Sequence, residues 1–136
     1  MVFYSPSSRG AHIIAAREAA ERLGINLIER PVRTVEQLKA ALDRMDKGDA
    51  DGIFHIPDDW ATWHADLIIR TARTKRIPTM TFGQAYVAKG ALAAFFYPDQ
   101  VTRDRRYYLV INLTAAKQMG LTIPPNVLAR ADKVIK

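Results

Sequence analysis

The chain has 136 residues, a net charge of +6 and a pI near 9.8. This length fits one domain covering residues 1–136, and its 49% hydrophobic and 25% charged residues are ordinary for a globular protein. The absence of cysteine excludes disulfides, thiolate chemistry and cysteine zinc sites. Basic residues are dispersed, with the densest groups at 70–76 and 103–106. We therefore interpret them as solvated faces and expect no nucleic-acid partner.

The first residues, from Met1 to Ser7, have the pattern of an apolar strand and a turn. They lack the charged and apolar regions of a secretion signal. The start is compatible with a chain cut from a longer protein. No apolar stretch approaches the roughly 20 residues that span a bilayer.

Short apolar runs alternate along the chain with segments in which apolar residues recur at helical spacing. The runs predict strands at 2–4, 25–28, 50–56, 77–82, 91–97 and 107–111. Helical stripes are formed by Ile13, Ala16, Ala20 and Leu23, by Val35, Leu38, Leu42 and Met45, and by Trp60, Leu67, Ile68 and Thr71. Gly24 ends the first helix and a Thr34–Gln37 capping box begins the second. Pro124 and Pro125 introduce a last amphipathic helix.

This alternation predicts an α/β fold, a three-layer α/β/α domain with a mainly parallel sheet of five to six strands in a flavodoxin-like arrangement. The segment from residue 98 to 106 is too short for a crossover helix. The strand at 107–111 is therefore expected to lie antiparallel to the fifth strand or at the sheet edge.

Three loops that follow predicted strands carry suggestive residues. They are Ser5, Ser7 and Ser8, then Asp58 and Asp59, then Phe82 and Gly83. Because the carboxyl ends of parallel strands share one sheet edge, we expect these loops to converge on a ligand site. The serines precede a helix, where backbone amides favour an anion, and the alternative is that Ser7 or Ser8 caps that helix.

The tandem aspartates have two interpretations. One carboxylate is expected to cap the next helix, while the other meets a ligand ammonium. No zinc spacing is found among His55, Asp58, Asp59 and His64, and no serine lies in a G-x-S-x-G elbow. We therefore expect no metal, no cofactor and no enzymatic activity. Trp60 and Trp63, three residues apart, indicate packing more than a stacking platform.

Several blocks in order resemble one family, the type I periplasmic substrate-binding proteins of ABC transporters in the tryptophan/tyrosine-type group. The blocks are residues 3–8, 15–20, 23–25, 50–53, 56–58, 76–79, 90–93 and 97–99, and the tail from Leu109. The specific part is the tail, Ile111-Asn-Leu, Ala116-Lys and Gly120-Leu-Thr-Ile-Pro-Pro125. The likeness covers nearly the whole chain.

The resemblance implies the C-terminal lobe of a two-lobed binding protein that is about twice this length and is exported. A returning segment of some thirty residues, expected between Asp99 and Tyr107, is missing here. The resemblance implies recognition of a small solute such as an amino acid, an ABC permease partner and a periplasmic location, although the chain has no signal peptide and a cytoplasmic location stays open. A lone lobe is expected to bind weakly and to self-associate as a homodimer.

Residue roles follow from these two lines of argument. Ser5, Ser7 and Ser8 are expected to contact an anion, and Asp58 and Asp59 an ammonium or hydroxyl group. Phe82 and Tyr97 are expected to form apolar walls, with Gly83 beside them. The alternative function is a signalling or interaction module that reuses the lobe to bind a protein.

Overall fold

The computed structural model describes residues 1–7, 10–97 and 106–136. Its strands are β1 (Val2–Tyr4), β2 (Glu29–Pro31), β3 (Ile53–Phe54), β4 (Thr79–Thr81), β5 (Ala93–Phe96), β6 (Tyr108–Asn112) and β7 (Lys133–Ile135). Its helices are α1 (Ala11–Leu23), α2 (Val35–Arg44), α3 (Asp59–Trp63), α4 (Ala65–Thr74), α5 (Gln84–Ala88), α6 (Leu113–Met119) and α7 (Pro125–Leu128). The predicted α/β class is confirmed.

The strands form one group of two, β1-β2, and one group of five, β3-β4-β5-β6-β7. The carbonyl oxygen of Met1 accepts a hydrogen bond from the Phe54 N–H at 2.8 Å, which joins the two groups. The resulting order β2-β1-β3-β4-β5 is flavodoxin-like. All ladder pairings are parallel except β5–β6, where Phe96 lies opposite Tyr108. The antiparallel prediction is confirmed, while the position beyond β6 is taken by β7.

Helices cover both faces of the sheet because side chains alternate along each strand. Phe3 packs into a core with Leu38 and Leu42 of α2, whereas its neighbour Val2 packs against Ile13 of α1. Leu38 is fully buried. Burying a leucine of this kind contributes about 1.5–3 kcal/mol. The three-layer arrangement therefore follows directly from the pattern of β1.

The second strand lies later than the sequence predicts. Gly24 adopts φ +65°, and the N–H of Ile25 bonds to the carbonyl of Ala20 at 2.8 Å. This geometry is that of a Schellman motif, which uses the first residues after the helix to complete its end. The prediction of a strand at 25–28 is therefore wrong, and β2 pairs with β1 through 29–31 instead.

One of the two hydrogen bonds of the predicted capping box is present at the start of α2. The Thr34 hydroxyl accepts from the Gln37 N–H at 3.2 Å. The Gln37 side-chain oxygen accepts from the N–H of Arg33 at 2.8 Å rather than from Thr34. Both bonds satisfy amides at the helix entry.

The predicted single helix after Asp59 is two helices. His64 has φ −106° and ψ 10°, outside the helical region, and both ends one helix and begins the next. Its carbonyl accepts from the N–H groups of Leu67 and Ile68, both at 3.1 Å. The break separates α3, beside the candidate site, from α4, which packs in the core.

The last amphipathic helix is also not as predicted, since α7 has four residues and is followed by β7. Asp132 accounts for the change. Its carboxylate accepts from the Leu109 N–H at 2.8 Å and pairs with Arg106 at 2.6 Å, and its own N–H bonds to the Leu109 carbonyl. These bonds hold the tail beside β6, so strand pairing prevails over the helical pattern.

Candidate functional site

A cavity of about 560 Å³ opens where β1 and β3 end. One wall is formed by the end of β1 and the first turn of α1, and the other by residues 56–60 and Trp63. Two of the three predicted loops, those carrying Ser5 and Asp58, therefore face one space. We call it the serine–aspartate cavity.

The serine loop is held together by its own hydroxyls. Ser5 is buried, and its Oγ lies 2.7 Å from the Oγ of Ser7. Ser7 does not cap α1, because that helix begins at Ala11 with Gly10 as its N-cap. The capping interpretation is therefore wrong for Ser7, and Ser8 lies outside the described residues.

The first turn of α1 borders the cavity and has no side-chain cap among the residues that the structure describes. Gly10 adopts φ +69°, a left-handed conformation that glycine adopts at little cost, and contributes no capping side chain. Gly10, Ala11, His12 and Ile13 all line the cavity. Uncapped amides at a helix N-terminus carry a partial positive charge and favour an anion. The cavity thus has an anion-favouring element in this turn, and the anion contact expected of the serines stays a prediction.

One of the two aspartates has the predicted capping role, and the ligand contact expected of the other stays a prediction. Asp58 is 6% exposed, and its Oδ1 accepts from the N–H of Ala61 at 2.9 Å, which makes it the N-cap of α3. Asp59 is exposed and lines the cavity. Asp59 is thus the carboxylate with no capping duty at this helix.

Trp60 and Trp63 are cavity residues that the sequence reasoning did not select. Both line the cavity, and they are the two tryptophans of the chain. Trp60 lies edge-on to His64 with ring centroids 4.5 Å apart, whereas Trp63 is 80% exposed. Their spacing of three residues, directly after the capping aspartate, places both on one face of a helix and was the available signal.

Phe82, Gly83 and Tyr97 lie outside this cavity. Phe82 is at the same sheet edge, since β3 and β4 are parallel neighbours, but its ring packs on His55 at 5.1 Å. Gly83 begins α5. Tyr97 is half exposed after β5, edge-on to Tyr107 at 5.5 Å. The structure thus brings together Ser5, Ser7, Asp58 and Asp59 and separates these three residues from them.

His55 lies beneath the aspartate loop and is 2% exposed. Its ring packs on Phe82 and meets Tyr86 edge-on at 5.3 Å. Burial lowers the pKa of the imidazole, while the carbonyl of Ala61 and the charge of Asp58 raise it by less. Its Nδ1 is buried without a hydrogen-bond partner in the described part of the chain.

The described ranges show neither a metal site nor a membrane-spanning helix. Residues 1–7, 10–97 and 106–136 contain no group of three histidine, aspartate or glutamate side chains placed to hold a metal ion. None of the helices in those ranges has the length and apolarity that crossing a bilayer requires.

No protein-family model matches the chain, and no curated protein matches it. Several solved structures are similar, including these three. A conserved domain protein from Vibrio cholerae superposes with a TM-score of 0.81 at 24% identity, over 98% of this chain and 53% of that one. An ABC domain in complex with L-Trp from Streptococcus pneumoniae superposes with a TM-score of 0.79 at 19% identity, over 98% of this chain and 55% of that one. A ligand-free, open substrate-binding protein with adhesive properties from Clostridium difficile superposes with a TM-score of 0.76 at 18% identity, over 99% of this chain and 53% of that one.

The chain therefore has a fold found in substrate-binding proteins, as its sequence blocks predict. It spans about half the length of each of these structures. At these identities the likeness establishes the fold alone. The ligand and the roles of individual residues have to be argued from the chemistry of the cavity.

Proposed function

We propose that the chain binds a small solute of the amino-acid class in the serine–aspartate cavity, without catalysis. In this proposal it acts as the solute-binding component of an ABC transporter, or as one lobe of that component. The observation that carries the proposal is the presence of an anion-favouring and a cation-favouring element in one cavity of about 560 Å³.

The two elements complement the two charges of an amino acid. The first turn of α1, with Ser5 and Ser7 beside it, has no side-chain cap in the described ranges and offers donors to a carboxylate. Asp59 on the opposite wall offers an acceptor and a negative charge to an ammonium group. The exposed ring of Trp63 provides an apolar or cation–π surface for the rest of the solute.

A single lobe supplies one wall of a binding cleft. The chain spans about half of each similar structure, so we propose that tight binding requires a second lobe that closes over the cavity. An ABC permease partner and a periplasmic location belong to the same proposal. Alone, the chain is expected to bind its solute weakly because half of the contacts are missing.

Isothermal titration calorimetry of the chain with single L-amino acids tests this function. The panel includes L-Trp, L-Leu, L-Lys and L-Glu, and the expected result is saturable heat for a subset. Asp59→Asn is expected to weaken that binding about tenfold, the effect of losing one charge-assisted contact. Asp43→Asn is the matched control, since Asp43 is an exposed aspartate that lies outside the cavity lining. Heat that is absent for every amino acid, or equal losses in both variants, would contradict the proposal.

One observation favours the alternative, a module that binds a protein. Phe95, Tyr97 and Tyr107 expose their rings on one face of the β5–β6 pair, with Phe95 stacked on Tyr107 at 5.0 Å. We call these three residues the aromatic cluster. Exposed aromatic patches mark interaction surfaces. A partner lost when the cluster is replaced, together with no amino-acid heat, would favour this second function.

A further inference from the structure

The last turn of α4 borders a second concave surface, of about 590 Å³. Arg70, Arg73 and Thr74 of α4 line it, with Arg76 just after the helix and Gln118 of α6. Three arginines therefore border one surface, and neither an aspartate nor a glutamate is among its lining residues. We call this surface the arginine groove. It does not share a lining residue with the serine–aspartate cavity.

Asp66 and Asp46 pair with lysines and not with the arginines of the groove. Asp66, the acidic residue of α4, pairs through its carboxylate with Lys89 Nζ at 2.7 Å. Asp46 lies 3.9 Å from Lys75 Nζ. Within residues 1–7, 10–97 and 106–136, none of the three groove guanidiniums forms an ion pair. Within those ranges, no carboxylate neutralises their positive charge.

Two of the arginine positions are fixed by backbone bonds. Arg70 Nε donates to the carbonyl of Asp66 at 3.2 Å, and Thr74 Oγ1 donates to the carbonyl of Arg70 at 3.0 Å. Arg76 has φ +57°, the uncommon left-handed conformation for a residue with a Cβ. Its N–H donates to the carbonyl of Arg73 at 3.0 Å, so the chain turns back at the end of α4.

Arg73 is positioned by close packing on Gly90. Gly90 adopts φ +111°, and a Cβ built there would lie 2.8 Å from the Cδ of Arg73. The stem of Arg73 thus lies directly against the backbone at Gly90. A stem held in this way loses less conformational freedom when its guanidinium binds a ligand.

We propose that the arginine groove binds an oxyanion of the phosphate type, carried by a small molecule or by a lipid headgroup. Each guanidinium presents paired N–H donors whose spacing matches two oxygens of one phosphate. The combined positive charge of the three guanidiniums is larger than a single carboxylate can balance. A phosphate dianion balances more of that charge. The Gln118 amide on α6 adds a neutral donor from the other side.

The test uses nuclear magnetic resonance on the ¹⁵N-labelled chain, because arginine Nε–H signals report each guanidinium separately. Inorganic phosphate is titrated at constant ionic strength. The variants are Arg70→Gln, Arg73→Gln and Arg76→Gln, singly and together, with Arg73→Lys to keep charge without the paired donors. Arg22→Gln is the matched control, since Arg22 Nε also bonds to a carbonyl four residues earlier on its helix, that of Glu18 at 3.3 Å.

The expected result is saturable shifts of the three groove signals, with affinity at least about tenfold weaker for each arginine lost. Arg73→Lys is expected to weaken binding, and Arg22→Gln to leave it unchanged. Cosedimentation with phosphatidylglycerol vesicles but not with phosphatidylcholine vesicles would identify a lipid source, and phosphate binding without cosedimentation a soluble one. Equal, unsaturated shifts at all exposed arginines, or full binding by the triple variant, would overturn the proposal. Amide spectra of each variant verify that it is folded.

Discussion

The Nε2 atom of His55 donates a hydrogen bond to the carbonyl oxygen of Ala61, 3.1 Å away, and so links the end of β3 to α3. A carbonyl can only accept, so the ring proton lies on Nε2 and the neutral ring leaves Nδ1 as an acceptor. The helix held by this bond carries Asp59, Trp60 and Trp63 into the serine–aspartate cavity. A buried, neutral histidine thus supports the proposed solute site.

The stability of the fold is expected to fall as the pH drops below about 6.5, the pKa of histidine in an unfolded chain. Burial holds the folded pKa of His55 below that value. The unfolded chain therefore takes up a proton that the folded chain resists, and the loss continues until the pH reaches the lower folded pKa. Urea unfolding followed by circular dichroism, between about pH 7 and pH 5, measures this slope.

His55→Gln serves as the comparison for that slope, because glutamine can still donate to Ala61 but does not titrate. Its stability is expected to change less over the same pH interval. Identical slopes in the two proteins would show that another group controls the acid sensitivity.

Substitutions at Asp58 and Asp59 should distinguish a role in helix capping from a role in solute binding. Asp58→Ala is expected to lower the free energy of unfolding by about 1 kcal/mol, since the Ala61 N–H loses its acceptor. Asp58→Asn keeps an acceptor and should recover most of that loss. Asp59→Ala is expected to leave unfolding unchanged and to weaken solute binding. Denaturant titrations give the first quantity and calorimetry the second, and a reversed assignment would contradict the division of roles.

Asn112 joins the sheet to two helices. Its Nδ2 donates to the Val87 carbonyl at 3.0 Å, and its Oδ1 accepts from the Ala115 N–H at 2.9 Å. Asn112→Ala is expected to lose about 1–3 kcal/mol of stability, because both buried groups lose their partner. Urea unfolding at neutral pH measures the loss.

Asn112→Asp refines that test. The aspartate keeps the cap but sets a buried carboxylate against the Val87 carbonyl, which raises its folded pKa. This variant should therefore become more stable, relative to the wild-type protein, as the pH falls and the carboxyl group gains a proton that it can donate. Equal pH dependence of the two proteins would contradict the account.

The aromatic cluster gives the self-association prediction a defined surface. Phe95, Tyr97 and Tyr107 are each about half exposed or more. Sedimentation equilibrium at increasing protein concentration is expected to show a dimer, and Phe95→Ser with Tyr107→Ser to weaken it. The control is Leu23→Ser, at a 71% exposed leucine on α1 that is not part of the aromatic cluster. A strict monomer at the highest concentration would refute the prediction.

Local signals predicted much of the fold. Thr34 and Gly24 mark helix ends because the Thr34 side chain and the left-handed backbone of Gly24 bond to groups only a few residues away. The short segment before Tyr108 cannot hold a crossover, so it predicts that β6 lies antiparallel to the fifth strand or at the sheet edge. The first of these alternatives is observed.

Features set by distant contacts were less accessible. The helical pattern near Val134 gave no sign that Asp132 bonds to Leu109, so β7 was missed. For the candidate site, strand order brought the loops of Ser5 and Asp58 together as predicted. The sequence could not show that Phe82 packs on His55, outside the cavity, because that depends on how α5 packs.

The central claim is that a solute binds in the serine–aspartate cavity, and tryptophan fluorescence tests it most directly because both tryptophans line that cavity. The wild-type chain, Trp60→Phe and Trp63→Phe are titrated with the non-fluorescent amino acids of the panel. The account predicts saturable changes at the same concentrations that give calorimetric heat, with Trp63 contributing most of the signal because its ring is 80% exposed. Calorimetric binding that leaves both tryptophan signals unchanged would place the solute elsewhere and contradict the account.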